Sequence, residues 1–144
     1  MKIINSVILC LCIASAPLLA QEKTFDGQSR QYANKHRVGY FDGSPEMKWA
    51  DVKDDLTLTQ TERGLEFSFH ITAPNGHFCK MSGVATKMKD FYEYREMIFG
   101  GECILKIFAT NETVRLEDVE LVCRNAYCGA RGGIDGARFS RINE

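Results

Sequence analysis

From Leu56 onward, apolar and polar residues alternate along the chain. Leu56 and Leu58, then Leu65, Phe67, Phe69 and Ile71, fall two apart, with Thr57, Thr59, Glu66, Ser68 and His70 between them. A period of two sends successive side chains to opposite faces, so the pattern predicts two half-buried antiparallel strands. Glu62-Arg63-Gly64 supplies the turn between them, because Gly64 can take the positive φ that a short hairpin loop requires. The same punctuation recurs downstream. Pro74-Asn75-Gly76 is a turn, Phe78 to Thr86 a strand, Lys87 to Asp90 a polar turn, and Phe91 to Met97 another strand. Gly100-Gly101 breaks the chain, a strand follows around Cys103 to Phe108, and Asn111-Glu112-Thr113 turns it into a return from Val114 to Val122. A last strand is predicted at Ala137 to Ile142. About seven short strands without an amphipathic helix predict an all-β antiparallel meander, closing into a small barrel or sandwich with two disulfides. Closure would remove the exposed edges of an open meander.

The beginning of the chain reads differently. Lys2 precedes an apolar run from Ile3 to Ile13, and small residues with a proline lead to Ala20, as in a secretory signal peptide. The run is shorter than the roughly 20 apolar residues a spanning helix needs. No integral membrane segment is therefore expected after cleavage. Cys10 and Cys12 raise the alternative of a lipid anchor, but a Leu precedes each where a lipobox carries a small residue. Residues 21 to 50 are polar and show little periodicity, which predicts a loose arm or edge element. The expected organisation is thus a signal peptide over 1–20, a polar arm over 21–50 and a β domain over 51–144.

Composition narrows the function classes. The chain has 144 residues, 44% of them hydrophobic and 26% charged, as in one globular domain. Eighteen basic and nineteen acidic side chains give a formal charge of -1, and loss of Lys2 with the leader makes it -2. There is no global basic field to hold a phosphate backbone, so nucleic acid is not an expected partner.

Removing residues 1 to 20 also leaves an even set of cysteines: Cys79, Cys103, Cys123 and Cys128. In an exported chain these predict two disulfides with three open connectivities. The hairpin expected at Lys87 to Asp90 would bring Cys79 near the start of the Cys103 strand, so Cys79 with Cys103 and Cys123 with Cys128 is the preferred pairing. Zinc is a poor fit, since Cys123-x4-Cys128 lacks ribbon spacing and His77-x-Cys79 is not a helical ligand face. No metal or cofactor is expected.

The most unusual stretch runs from Cys123 to Gly136, with two cysteines, four glycines, Arg124 and Arg131 in fourteen residues. Either it is a stapled connection in which Arg131 and Asp135 satisfy local groups, or it is an ordered recognition loop. Tyr127 and Arg131 belong to the residue types that dominate interface hot spots. Tyr127, Arg131, Asp135 and Arg124 are accordingly the candidate partner-binding residues. Catalysis has weaker support. His36, His70 and His77 are the only histidines, none with a nucleophile at a diagnostic spacing, and Ser82-Gly83 lacks the flanks of a nucleophile elbow. The chain is not expected to be an enzyme.

A leader followed by a small β-rich chain with Asn75-Gly76-His77-Phe78-Cys79, Gly83-x-Ala85, Cys103, Cys123, Tyr127-Cys128-Gly129-Ala130-Arg131-Gly132-Gly133 and Asp135-Gly136-x-x-Phe139 resembles small disulfide-bonded periplasmic proteins of bacteria. Among these are periplasmic lysozyme inhibitors and the immunity proteins that neutralise cell-wall hydrolases. The resemblance covers residues 56 to 142 and lies in layout. It implies a periplasmic or secreted protein that inhibits or neutralises a cell-wall hydrolase, a lysozyme or amidase, through a rigid loop. The alternative is a barrel that holds a small apolar ligand. Cavity volume separates the two, since a barrel filled by Phe67, Phe69 and Leu105 has no room for cargo.

Overall fold

The computed structural model describes residues 28–142, so the expected leader lies outside the described residues. Eight strands run in chain order around a closed antiparallel barrel. They are β1 (Ser29–Tyr40), β2 (Lys48–Thr61), β3 (Gly64–Thr72), β4 (Phe78–Lys87), β5 (Tyr92–Ile98), β6 (Gly101–Ala109), β7 (Thr113–Asp118) and β8 (Arg138–Arg141). Closure is made by β8 on β1, with Tyr32 opposite Arg141 and Ala33 opposite Ser140.

The alternating segments take the predicted register. Leu56 lies opposite Phe69 and Leu58 opposite Phe67 across β2 and β3, and Phe67 and Phe69 then meet Gly83 and Met81 on β4. Thr61 pairs with Gly64 around a two-residue turn at which Gly64 has φ +133°. Inward side chains from all around the barrel form one cluster that includes Tyr32, Leu58, Leu65, Phe69, Ile107, Leu116 and Phe139. Leu56, Leu58, Leu65, Leu105, Ile107 and Leu116 expose no surface at all, so no water-sized cavity touches them.

Three expectations are corrected. Much of the stretch read as a polar arm is strand, because β1 pairs with β2 over its whole length, from Ser29 opposite Thr59 to Tyr40 opposite Lys48. That strand raises the number from about seven to eight. Backbone ladders need no apolar side chains, and β1 anchors itself with few: Tyr32 is buried, its hydroxyl donating to the Thr110 carbonyl at 3.0 Å, and Val38 is buried near the other end. The return strand stops at Asp118, where a 3-10 turn, Val119–Leu121, takes over with Glu120 and Leu121 at φ +57° and +59°.

The third correction concerns the bridges. Cys79 is joined to Cys128 and Cys103 to Cys123. The expected pairing fails because β4 and β5 pair only at Thr86 with Glu93 and Lys87 with Tyr92, so Cys79 and Cys103 are not brought together across that hairpin. Cys79 lies opposite Ile71 on β3, and Cys103 lies opposite Glu96 on β5. A one-turn helix, α1 (Arg124–Tyr127), separates Cys123 from Cys128 and lets each reach a different strand. The bridges therefore pin the final connection to the barrel wall at β4 and β6.

Candidate functional site

An eight-stranded meander has two ends, and here they differ. One end carries the tight turns at residues 62–63, 88–91 and 110–112. The other carries the β1–β2 loop, the Pro74–Gly76 turn, the β5–β6 turn and the long connection from Val119 to Ala137. Among the described residues eight large hydrophobic side chains stand exposed; Phe41, Met47, Trp49, Phe78, Met97, Phe99 and Leu121 lie at this second end, and Met88 at the first. A single exposed apolar residue is ordinary, and the number at this end makes it the candidate surface.

The cystine-pinned connection closes this rim. Asp118, at the end of β7, is 3% exposed and accepts the Cys123 N–H on Oδ1 and the Arg124 N–H on Oδ2, each at 2.9 Å. Burial pushes the Asp118 carboxyl above the ordinary aspartate range, and those two N–H groups only partly oppose it. Asp135 accepts the Asp118 N–H at 3.2 Å, and its neighbour Ile134 is fully buried in the core cluster. Cys128 forms an isolated bridge with Cys79, and the Gly129 N–H donates to the Phe78 carbonyl at 2.9 Å. A surface depression of about 280 Å³ lies where the loop meets the Pro74–Gly76 turn, bounded by Gly76, His77, Phe78, Ala126, Tyr127, Cys128 and Gly129.

Where β4 and β5 diverge, side chains take over from the ladder. Tyr94 lies across Gly83, so that a methyl group at Gly83 would sit 2.5 Å from Cε2 of Tyr94, and its ring meets Phe67 edge-on at 5.4 Å. The Tyr94 hydroxyl donates to Glu96 Oε2 at 2.9 Å, and the Tyr127 hydroxyl donates to the same oxygen. These bonds, that from Tyr127 foremost, hold the Glu96 carboxyl below its ordinary range. Burial, and then the bond to Glu96, raises the Tyr127 phenol well above its own.

The four candidate binding residues thus share one segment but not one role. Tyr127 is half-buried and bound to Glu96, Asp135 holds the Asp118 backbone, and the Arg124 backbone is held by Asp118. Arg131 is exposed, with no hydrogen bond or ion pair to another described residue. Sequence reading had not assigned the rim residues Phe41, Met47, Met97, Phe99 and Leu121. Their signal was available as large apolar side chains inside or beside turn clusters, where alternation has no bearing.

The three histidines lie in different settings. His70 lies tilted against Phe78 at 5.4 Å, and His77 packs against Gly129. His36 is the one beside a buried carboxylate, with Nε2 2.9 Å from Asp54 Oδ2, while Asp54 Oδ1 accepts the Thr72 N–H at 2.8 Å. Asp54 thereby ties the outer half of the β1–β2 hairpin to β3. Among the described residues, no three His, Cys, Asp or Glu side chains are grouped to hold a metal ion, and no helix is long and apolar enough to cross a membrane.

No protein-family model, no curated protein and no solved structure matches this chain.

Proposed function

We propose that this is an exported binding protein that engages a protein partner through the rim described above. The observation that carries the reading is the gathering of seven exposed large hydrophobic residues on the one end that the cystine-pinned loop closes. Ordering costs weaken association, and two bridges with a buried aspartate remove them from the loop before any partner arrives. Arg131 adds an exposed planar cation beside the apolar rim. The filled interior speaks for surface binding over carriage of an apolar ligand. Two disulfides are consistent with an oxidising, extracellular compartment.

The partner class we favour is a cell-wall hydrolase. It rests on the resemblance of the sequence, in layout, to periplasmic lysozyme inhibitors and immunity proteins, and on the complementarity an Arg-bearing loop would have to the acidic cleft of a glycan hydrolase. The test titrates the purified protein against glycan-cleaving and amide-cleaving wall hydrolases and follows their activity. Stoichiometric inhibition is expected, lost on Phe99→Asp and weakened on Arg131→Ala. Phe99 is fully exposed, so its substitution should leave stability within about 0.5 kcal/mol. Inhibition untouched by both changes would place the binding face elsewhere, and hydrolases of both classes left at full activity would overturn the partner class.

A further inference from the structure

The outer half of the β1–β2 hairpin carries a face of which the reading above uses only the rim residue Trp49. Beyond Asp54, β2 pairs with β1 alone, and beyond Ala33, β1 pairs with β2 alone, so residues 34–40 and 48–54 form a two-stranded ribbon. Paired residues share a face, and one face carries, in successive rows, Lys35 opposite Lys53, Arg37 opposite Asp51, and Gly39 opposite Trp49. Arg37 and Asp51 form a loose ion pair at 3.6 Å with both side chains mostly exposed, and the Arg37 guanidinium sits 5.8 Å from the centre of the Trp49 ring.

Two lysines directly opposed across a ladder repel each other. Lys35 and Lys53 are both exposed, and neither has an ion pair with a described carboxylate. A groove of about 450 Å³ lies over them, lined by Lys35, His36, Arg37, Asp51, Val52 and Lys53. Trp49 is 55% exposed and sits two rows beyond, about 13 Å along the strand at the ordinary rise per residue. The ribbon face therefore offers, at one end, a pair of ammonium groups without a direct ion pair, in the row between Arg37–Asp51 and Ala33–Asp55, and an accessible indole at the other.

We infer that this face binds an acidic oligosaccharide. A carboxylate on one sugar meets Lys35 and Lys53, which relieves their mutual repulsion, and the apolar face of a ring farther along the oligomer lies against Trp49. The spacing exceeds one sugar ring, so the ligand is an oligomer. The cations stand on the face of the ribbon and not along its edge, where an extended peptide would pair. Such a site would hold an exported protein on an anionic glycan, and it shares Trp49 with the rim.

Trp49 is the only tryptophan of the chain, so its fluorescence reports the site directly. Tetragalacturonate is the probe, with neutral chitotetraose, inorganic phosphate and anionic phospholipid vesicles as comparators. Tetragalacturonate should change the Trp49 emission with an affinity that falls as salt rises, and the three comparators should not match it. The double variant Lys35→Gln, Lys53→Gln should weaken binding at least tenfold without lowering the melting temperature, because a repulsive pair has been removed. Equal response to chitotetraose or to phosphate, unchanged binding by the double variant, or a response to vesicles alone would overturn the inference. Loss of hydrolase inhibition by Phe99→Asp would leave this titration unchanged, which separates the two sites.

Discussion

Replacing Cys79 and Cys128 by alanine should release the final connection from β4. The bridge spans 49 positions and encloses the Cys103–Cys123 bridge, which spans 20. In the chain-entropy treatment of cross-links, a free loop of that length stabilises the fold by about 4 kcal/mol at 25 °C. The inner bridge already shortens the unfolded path, to an effective loop of about 30 residues, and lowers the figure to about 3.5 kcal/mol. Cys79 is also fully buried and packed against Gly132, so truncation removes contacts as well as the cross-link. Urea unfolding followed by circular dichroism measures the loss. With a slope of about 1.5 kcal/mol/M, the midpoint should fall by about 2 M. Removing Cys103 and Cys123 instead should cost about 3 kcal/mol, slightly less because the loop is shorter. A midpoint shift under about 0.5 M for the first variant would refute the view that this bridge holds the loop to the wall. Peptide mapping without reduction that found Cys79 joined to Cys103 would refute the connectivity itself.

Gly83→Ala drives a methyl group into the Tyr94 ring and should destabilise the fold by about 1 to 3 kcal/mol in the same urea assay, an overpacking cost. Asp118→Ala leaves the Cys123 and Arg124 N–H groups without their acceptor inside the loop, and should cost about 3 kcal/mol by thermal or urea melts. Tyr127→Phe removes the leading cause of the depressed Glu96 carboxyl, so carboxyl titration by NMR should show the Glu96 pKa rising toward its ordinary value. A carboxylate whose folded pKa lies below its unfolded value contributes stability that is present above about pH 4.5 and is lost as pH falls through the folded pKa. The acid side of the stability profile should therefore flatten in Tyr127→Phe.

The parts of the fold that alternation governs were legible in the chain. Leu56 to Ile71 gave both strands and their turn, because burying one face of a two-stranded hairpin forces a period of two onto the sequence. β1 was illegible for the complementary reason. Asn34 and His36 occupy the positions between buried Tyr32 and Val38 where alternation would place apolar residues, and the strand is held by its backbone ladder and by His36 on Asp54. The bridges were illegible because their pairing depends on a one-turn helix and on the early divergence of β4 from β5, neither of which leaves a periodic mark. Of the loop, the sequence located the segment and its composition. Which side chains turn to solvent depended on Asp118, a residue read only as part of a strand. Phe99 and Leu121 were overlooked because a hydrophobic residue in a turn breaks the pattern without naming its role.

The rim is tested most directly by hydrogen exchange on the protein bound to the hydrolase it inhibits most strongly. Amides of residues 41–49, 76–78, 97–101 and 121–131 should gain protection on binding, while residues 62–63, 88–91 and 110–112 at the opposite end exchange as in the free protein. Protection confined to that opposite end, with the cystine-pinned rim unchanged, would contradict the proposal.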